Sequence, residues 1–269
     1  MNTLKDKWAA GQPTVNGWMS IGSNFAAEIM ASAGYDSLTI DMQHGFLDYS
    51  HAMGMFQAMR ASGVVPMARV SWLDSGVIMK ALDAGALGII CPMINSRAEA
   101  EALVRAVRYP PHGSRSFGPT RANYHHGPDY YAQANGSILA LAMIETGEAV
   151  ERLDEIITTP GLDGVYIGPA DLSLGVTQGR LPPGLDRQEE EMQTVIKDVL
   201  ERVKAQGLRA GIHCLTPEYG ALAAEWGFDF VTISGDVRLL AASASESIKE
   251  TRALLGQEAS GNGPAKGGY

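Results

Sequence analysis

Short apolar segments recur along this chain with helical patterns between them, and that alternation most limits the folds open to it. Several of the segments are apolar nearly throughout, as parallel strands covered on both faces are. They span residues 16–21, 37–41, 64–70, 87–91, 138–144, 164–167, 208–213 and 230–234. Eight strands that alternate with helices predict an α/β fold, a closed (β/α)8 or TIM barrel.

Glycine stands just before many of the apolar segments, at the point where the preceding helical pattern ends. The positions are Gly34, Gly63, Gly85, Gly207 and Gly227. A residue that ends a helix often adopts the left-handed conformation, which glycine tolerates because it has no Cβ. Scattered loop glycines would not recur at one place in each unit, so we predict helix C-caps.

Length and charge limit the class of protein further. A chain of 269 residues suits one barrel-sized domain, which we place at residues 1–257, followed by a disordered tail at 258–269. The net charge of −9 argues against nucleic acid or an anionic membrane as partners, since both are bound through clustered Lys and Arg. No signal-peptide core and no run of about 18 apolar residues is present, so we predict a cytoplasmic protein.

One long segment interrupts the regular alternation of strands and helices. Residues 108–136 contain four prolines and several aromatic and His residues, and they are too many for a bare connection. A long insertion after a barrel strand usually shapes a binding site or a subunit contact. The two cysteines, Cys91 and Cys214, lack metal-ligand spacing, and we expect them to be reduced core residues.

Polar residues stand where the apolar segments end. In a (β/α)8 barrel the C-terminal strand ends and the loops after them form the active face. The residues at these ends are Trp18, Asp41, Gln43, His44, Arg69, Glu145, Asp171, His213 and Asp236. We therefore expect the chemistry of this chain to lie among them.

Glu145 and Asp171 form the most informative pair, because they are one strand-helix-strand unit apart. Neighbouring parallel strands lie roughly 4.8 Å apart, so both carboxylates can hold one cation. Either residue alone could instead cap the helix that follows it. Two carboxylates with several open positions suit Mg²⁺, Mn²⁺ or Co²⁺, whose remaining ligands are water and substrate oxygens.

The positions of lysine separate two mechanisms of carbon-carbon bond cleavage. A Schiff-base aldolase needs a lysine amine in its pocket. All lysines here fall in the termini or in helical segments, namely Lys5, Lys7, Lys80, Lys197, Lys204, Lys249 and Lys266. A divalent metal would do the same electronic work by polarising a carbonyl and stabilising the enolate beside it.

Two questions stay open at the level of residues. Arg69 ends an apolar strand and needs an anion, which could be a structural carboxylate or the carboxylate of a substrate. His44 follows Asp41 by three residues, so the two could form a structural hydrogen bond or an acid/base dyad. For Asp83, a structural ion pair is at least as plausible as a role in the active site.

These residues stand in motifs that resemble a known family. The motifs are Arg69 and residues 41–45, 81–85, 108–113, 144–146 and 168–173, the last reading Gly-Pro-Ala-Asp-Leu-Ser. From about residue 8 to residue 255 the chain resembles the HpcH/HpaI family of metal-dependent (class II) pyruvate aldolases. That resemblance implies a (β/α)8 barrel of the phosphoenolpyruvate/pyruvate-type superfamily and a homohexamer built as a trimer of dimers.

The resemblance also implies roles for the residues of the catalytic centre. Glu145 and Asp171 correspond to the ligands of one divalent metal per subunit, Mg, Mn or Co. Arg69 corresponds to the residue that binds the substrate and steadies the enolate charge. His44 corresponds to the acid/base histidine, supported by Asp41 or Asp83.

Further positions are implied to bind substrate. Backbone N–H groups of the Gly168, Pro169, Ala170 and Asp171 segment would receive the carboxylate of the 2-oxo acid. Trp18 and Gln43 would also contact substrate. The segment 116–121, which ends at Arg121, looks like the part that reaches a neighbouring subunit's site and shapes the aldehyde pocket.

The chain departs from the family pattern at three places. Many members carry Glu in place of Gln43 and Gln in place of Met143, which alters the proton network beside His44 and a hydrogen bond near Glu145. His213 takes a strand-end position that looks apolar in some relatives. We hypothesise that it contacts the aldehyde or a 3-hydroxy group of the donor.

The predicted activity is the reversible cleavage of 4-hydroxy-2-oxo acids to an aldehyde and pyruvate, or a hydroxypyruvate-like 2-oxo acid, through a metal-stabilised enolate. The small-molecule partners are therefore a 2-oxo acid and an aldehyde. One alternative is a thioester carbon-carbon lyase of the citrate-lyase β-subunit type. The other is a non-catalytic scaffold barrel in which the changes at Gln43 and Met143 mark lost activity.

Overall fold

The computed structural model describes residues 2–257, which form a closed barrel of eight parallel strands. Each strand pairs with the next in chain order, and the last pairs with the first. This arrangement confirms the predicted (β/α)8 barrel. The strands are β1 (Thr14–Met19), β2 (Ser37–Asp41), β3 (Val65–Arg69), β4 (Gly88–Cys91), β5 (Leu139–Ile144), β6 (Gly164–Ile167), β7 (Arg209–Cys214) and β8 (Phe230–Ile233).

Helices surround the barrel and connect its strands. They are α1 (Thr3–Ala9), α2 (Asn24–Ala31), α3 (Tyr49–Ala58), α4 (Ser75–Asp83), α5 (Arg97–Val107), α6 (Thr120–His126), α7 (Tyr130–Ser137), α8 (Gly147–Glu151), α9 (Leu153–Ile157), α10 (Pro169–Thr177), α11 (Glu190–Ala205), α12 (Pro217–Trp226) and α13 (Asp236–Leu254). A 3-10 turn, Met59–Ala61, follows α3. All strands are buried almost throughout, as their near-continuous apolar sequences predict.

The predicted glycine caps are confirmed by the backbone. The φ angles at the five positions before the strands lie between 72° and 113°, in the left-handed region that disfavours a side chain. They belong to Gly34, Gly63, Gly85, Gly207 and Gly227. Each therefore ends one helix and turns the chain back toward the next strand.

The insertion between β4 and β5 contains the short helices α6 and α7 rather than a bare loop. Its base is held by Arg115, whose side chain is fully buried and pairs with Asp83 of α4 at 2.7 Å. The Arg115 guanidinium also lies 4.5 Å from the ring centre of Tyr109 and donates to the Tyr130 hydroxyl at 3.0 Å. The insertion is thereby packed against the outer helices of the barrel.

Polar side chains are enclosed within the barrel between its strands. Asn16 of β1 accepts from the hydroxyls of Ser37 and Thr39 at 2.8 and 3.1 Å, and donates to Thr232 of β8 at 2.9 Å. All four side chains are inaccessible to solvent. Buried polar groups of this kind stabilise a fold only when they are hydrogen-bonded, and here they bond to one another.

The remaining expectations from the sequence have different outcomes. Cys91 and Cys214 are buried free thiols, as predicted. The predicted disordered tail, 258–269, lies outside the described residues. Within residues 2–257 no helix combines the length and the apolar character that crossing a bilayer requires.

Gly164 begins β6 against the backbone of β7, and we predict that Gly164→Ala destabilises the barrel. An added Cβ would lie 2.2 Å from the carbonyl oxygen of Arg209, which cannot move without disturbing the sheet. Overpacking of this kind should lower the free energy of unfolding by about 2 kcal/mol or more, measured by urea denaturation. Gly136→Ala is the matched control, because nothing lies within 4 Å of its added Cβ in α7. Equal stability of the two variants would contradict the prediction.

Candidate active site

A cavity of about 670 Å³ opens at the C-terminal ends of the strands, where the sequence placed the site. The start of α13 forms part of its wall. The predicted residues that line it are Trp18, Asp41, His44, Arg69, Gly168, Ala170, Asp171 and His213, and Met143 and Asp236 line it as well. None of the described lysines lines it, in keeping with the prediction that no Schiff base forms here.

Arg69 is paired with a carboxylate of the chain itself, that of Asp41. Its Nε and Nη2 atoms donate to Oδ1 and Oδ2 of Asp41 at 2.8 and 2.6 Å, and both side chains are buried. The indole N–H of Trp18 donates to the same carboxylate at 3.2 Å, and the Arg69 guanidinium lies 4.8 Å from the Trp18 ring centre. Burial alone would raise the pKa of Asp41, but the hydrogen bonds and charge of Arg69 bring that pKa below its ordinary value.

Asp41 also fixes the loop that carries His44. Its Oδ1 atom accepts from the backbone N–H groups of Gln43 and His44 at 3.1 and 3.2 Å. Asp41 therefore positions the backbone of this loop. The His44 side chain is exposed at the mouth of the cavity, where it can exchange protons with water.

Glu145 follows β5 directly and is buried. Its Oε1 atom accepts from the backbone N–H of Met93 at 2.8 Å. The cap of the following helix is Thr146, whose hydroxyl accepts from the backbone of Ala149, so Glu145 is not a helix cap. The pKa of Glu145 is raised to about 7, mainly by burial and to a smaller degree by the negative charge of Asp171, against the lowering effect of the hydrogen bond from Met93.

Asp171 lies in the first turn of α10 and also is not its cap, since that position belongs to Gly168. Ile144 of β5 pairs with Ile167 of β6, which places Glu145 level with Gly168. A Cβ at Gly168 would lie 2.9 Å from Oε2 of Glu145 and 2.6 Å from the methyl carbon of Met143. Only glycine therefore lets the start of α10 approach Glu145 this closely.

The carboxyls of Glu145 and Asp171 suit a divalent cation, and of the two Asp171 lines the cavity. The Glu145 carboxyl has been removed from water beside a second carboxylate, Asp171, and a cation would compensate both charges. Among residues 2–257 no group of three or more His, Cys, Asp or Glu side chains is placed to share a metal ion. A cation held by Glu145 and Asp171 alone would have most of its coordination positions open to water and to oxygens of a ligand.

The sequence reasoning missed Tyr166 of β6, which supports His213. The Tyr166 hydroxyl lies 3.0 Å from Nδ1 of His213 and 2.7 Å from the Thr232 hydroxyl. The His213 ring packs edge-on against Trp18, with ring centres 4.6 Å apart. Tyr166 stands two residues before Gly168, so the alternation of side chains along a strand was the signal that could have found it.

Asp83 and Arg121 are not brought to this cavity within one chain. Both line a second cavity, of about 810 Å³, between α3, α4 and α6. Asp83 is taken up by the ion pair with Arg115, and Arg121 donates to the backbone carbonyl of Ala84. Within residues 2–257 neither Asp83 nor Arg121 lines the first cavity, so the support of His44 by Asp83 and the aldehyde contact of Arg121 stay predictions.

Three further predicted residues, Glu145, Pro169 and Gln43, are not among the residues that line the cavity. Pro169 is the first residue of α10, where its lack of an N–H group is harmless and its fixed φ suits the helix. Gln43 has a buried side-chain oxygen, Oε1, with no hydrogen-bond partner among residues 2–257. A buried acceptor without a partner is costly, so this position is not explained by stability alone.

Comparison with known proteins identifies the family. The model of the HpcH/HpaI aldolase/citrate lyase family matches residues 17–241, most of the chain and nearly all of the barrel. The chain belongs to this family. Membership of the HpcH/HpaI family confirms the resemblance seen in the motifs.

Individual relatives in the HpcH/HpaI family agree with this assignment. A hydroxypyruvate/pyruvate aldolase from Rhizorhabdus wittichii is 42% identical over 254 residues, 94% of this chain and 100% of that protein. A 4-hydroxy-2-oxo-heptane-1,7-dioate aldolase from Klebsiella pneumoniae is 36% identical, covering 90% of this chain and 91% of its own. The crystal structure of a family protein from Burkholderia cenocepacia has a TM-score of 0.85 at 31% identity, covering 94% of this chain and 100% of the other. The predicted enzyme class, an aldolase among the carbon-carbon lyases, is thereby confirmed.

The raised pKa of Glu145 leads to a prediction for the metal-free protein. As the pH rises above 4.5, Glu145 ionises in the unfolded chain while it stays protonated in the folded protein. The free energy of unfolding therefore falls, and the full decrease is reached above pH 7. Glu145→Gln should then raise the free energy of unfolding at pH 8 by up to about 3 kcal/mol, and hardly at all at pH 5. Urea denaturation with EDTA at both pH values measures this.

The exposed Glu151 of α8 provides the control for that comparison. Glu151→Gln removes a charge that is not buried, and its effect should be small at both pH values. A Glu145→Gln protein that is less stable than the unmodified protein at pH 8 would contradict the account of Glu145.

Proposed function

We propose that this HpcH/HpaI family member is a divalent-metal-dependent aldolase that reversibly cleaves 4-hydroxy-2-oxo acids to a pyruvate-type 2-oxo acid and an aldehyde. The observation that carries the proposal is the arrangement of opposite charges around one cavity. Asp171 and the buried guanidinium of Arg69 both line the cavity, and the charges of both act on the buried carboxyl of Glu145. Such a cavity suits a small acid that gains negative charge during reaction.

Glu145 and Asp171 would hold the metal, one per subunit, with Mg²⁺, Mn²⁺ and Co²⁺ as the candidates. Both are oxygen ligands, which hard cations prefer. When bound, the cation supplies Lewis-acid polarisation of the 2-oxo group. The backbone N–H of Met93 donates to Oε1 of Glu145 and so orients this carboxylate, which leaves Oε2 for the metal.

Arg69 would bind the oxygen on which negative charge develops when the carbon-carbon bond breaks. Its guanidinium is already fixed by two hydrogen bonds to Asp41 and by the face of Trp18. A cation held in place before the reaction needs no reorganisation as the charge appears, which is the condition for strong electrostatic stabilisation.

The N-terminus of α10 would receive the carboxylate of the 2-oxo acid. This helix begins without a side-chain cap, at Gly168 and Pro169, and its first turn borders the cavity. Backbone N–H groups in a first helical turn lack partners within the helix, so they bind anions. Ala170 provides the first such group, because Pro169 has none.

His44 would move the proton between water and the hydroxyl of the 4-hydroxy-2-oxo acid. It borders the cavity and is exposed, so a proton can pass to solvent after each step. Asp41 sets the position of its backbone through the bond to the His44 N–H. A supporting role for Asp83 and an aldehyde contact from Arg121 stay predictions that need a second subunit.

A single assay tests this function against its alternatives. Release of pyruvate from 4-hydroxy-2-oxo acids is measured in the protein as purified, after EDTA treatment, and after Mg²⁺, Mn²⁺ or Co²⁺ is restored. We expect activity to vanish with EDTA and to return with metal. Turnover that is unchanged by EDTA would contradict the metal-dependent mechanism. Turnover of thioesters alone would indicate an enzyme of the citrate-lyase β-subunit type, and no turnover of any substrate would indicate a scaffold protein.

Metal binding itself gives a second prediction that does not depend on turnover. Glu145→Ala and Asp171→Ala should each lower the affinity for Mn²⁺ by at least about tenfold, measured by calorimetric titration, while the barrel stays folded. Glu148→Ala, an exposed change in the next helix, is the control and should bind Mn²⁺ normally. Unchanged affinity in either ligand variant would refute the assignment.

We also propose that the protein assembles as a homohexamer. We propose in addition that it is located in the cytoplasm. The support for assembly is α13, a helix of 19 residues in which only Asp236 is buried. Several of its apolar side chains face solvent in the single chain, namely Val237, Leu239, Leu240, Ile248 and Leu254. Apolar surface of this extent usually marks a protein interface.

The assembly is tested by a charge on that helix. Ile248→Glu should reduce the mass measured by size-exclusion chromatography with light scattering, because a carboxylate cannot be buried in an apolar contact. Ser247→Glu, on the adjacent exposed position, is the control. A protein that is monomeric before any substitution would contradict the hexamer.

A further inference from the structure

His213 lies beside the proposed donor site, at the end of the neighbouring strand. Ile167 of β6 pairs with Ile212 of β7, so His213 stands level with Gly168 at the start of α10. Glu145 stands at the same level on the other side of Gly168. Adjacent strands are roughly 4.8 Å apart, so a three-carbon acid bound at α10 is within one strand spacing of the His213 ring.

The His213 ring is fixed from two directions. Its Nδ1 atom lies 3.0 Å from the Tyr166 hydroxyl, and its edge packs on Trp18. Tyr166 is itself held by Thr232 at 2.7 Å, and Thr232 by Asn16 at 2.9 Å, deep in the barrel. A ring held by a chain of buried hydrogen bonds is preorganised for recognition.

The second ring nitrogen, Nε2, is left for a ligand. Nδ1 is taken by Tyr166, and among residues 2–257 no hydrogen bond involves Nε2. The residue borders the cavity and keeps part of its surface accessible. Burial, with a smaller contribution from the charge of Arg69, lowers the pKa of His213 to about 3, so the ring is neutral at physiological pH.

A neutral ring nitrogen discriminates between the groups that a donor can carry on its third carbon. Nε2 is a donor or an acceptor, depending on which way the hydroxyl hydrogens of Tyr166 and Thr232 point. A substrate hydroxyl can donate and accept, so it bonds to Nε2 in either case. A methyl group makes no such bond, and a neutral ring offers no charge to a carboxylate.

We propose that His213 is a specificity residue that favours a 2-oxo acid donor with a hydroxyl on its third carbon, as in hydroxypyruvate, over pyruvate. This rests on the proposed aldolase function. Trp18 and Tyr166 are positioning residues that act through the His213 ring. A site with a polar group placed for a substrate hydroxyl rejects the analogue that lacks it, because the polar group is then left without a partner.

The test measures the donor alone. Exchange of the third-carbon protons for deuterium is followed by NMR in the Mn²⁺-loaded protein without aldehyde, with the uncatalysed rate subtracted. The readout is the ratio of kcat/KM for hydroxypyruvate to kcat/KM for pyruvate. His213→Phe keeps a ring against Trp18 but removes both nitrogens, and we expect it to lower this ratio about tenfold. His213→Leu is measured in parallel, so the result does not depend on the folding of one variant.

Three further variants separate recognition from a structural role. His213→Gln restores a group that donates and accepts, and should bring the ratio back to within about threefold of the unmodified protein. Tyr166→Phe removes only the bond to Nδ1 and should lower the ratio by a smaller factor. Leu215→Ala changes the same rim without removing a hydrogen bond, and should leave the ratio unchanged.

The outcomes distinguish this proposal from the one on which it rests. If the unmodified protein exchanges neither donor with any divalent metal, both proposals fail. If exchange occurs but His213→Phe and His213→Leu keep the ratio, or both donors lose equally, His213 does not select the donor and only this proposal is overturned. A contact between His213 and the aldehyde would give that same unchanged ratio, because no aldehyde is present.

Discussion

The buried ion pair between Asp41 and Arg69 is the interaction on which the rest of the site depends. One carboxylate accepts hydrogen bonds from a guanidinium, from the indole of Trp18 and from the backbone of the loop that carries His44. It thereby positions the Arg69 guanidinium, the Trp18 indole and the backbone of the His44 loop at once. Removing one member of a buried pair leaves the other charged without a partner, at a cost of about 3–5 kcal/mol. Catalytic geometry and barrel stability are consequently linked through this pair.

Glu145 and Asp171 carry the opposite charge to Arg69. Burial, and to a smaller degree the charge of Asp171, raise the pKa of Glu145, so its ionisation costs stability in the metal-free protein. Natural proteins commonly accept such local cost where function requires it. The lack of a side chain at Gly168 belongs to the same design, because it lets a helix N-terminus and a buried carboxylate occupy one small volume. Groups of both charges, Arg69 and Asp171, thereby line one cavity.

Much of the fold could be predicted from sequence because its signals are local. Eight apolar segments and five glycine caps recur at a fixed place in each unit, and none of them needs a distant partner to be recognised. The ends of these segments also located most of the cavity wall. The partners of the charged residues could not be predicted in the same way, because pairing depends on strand register and on the path of the insertion.

Particular residues show where that limit lies. Asp41 and Arg69 are 28 positions apart and meet only because β2 and β3 pair at those residues. Asp83 pairs with Arg115 because the insertion folds back over α4, which no periodicity in the sequence reveals. Tyr166 lies inside an apolar strand and looked like ordinary core, although it holds a ring that faces the cavity.

The ends of β5, β6 and β7 lie at the same height in the barrel, and this alignment affects how substrate specificity can evolve. The proposed cation ligands follow β5 and β6, whereas β7 contributes a residue to the same rim without contributing a ligand. Under the proposed roles, a single substitution at His213 would change the choice of donor and leave the residues that hold the cation in place.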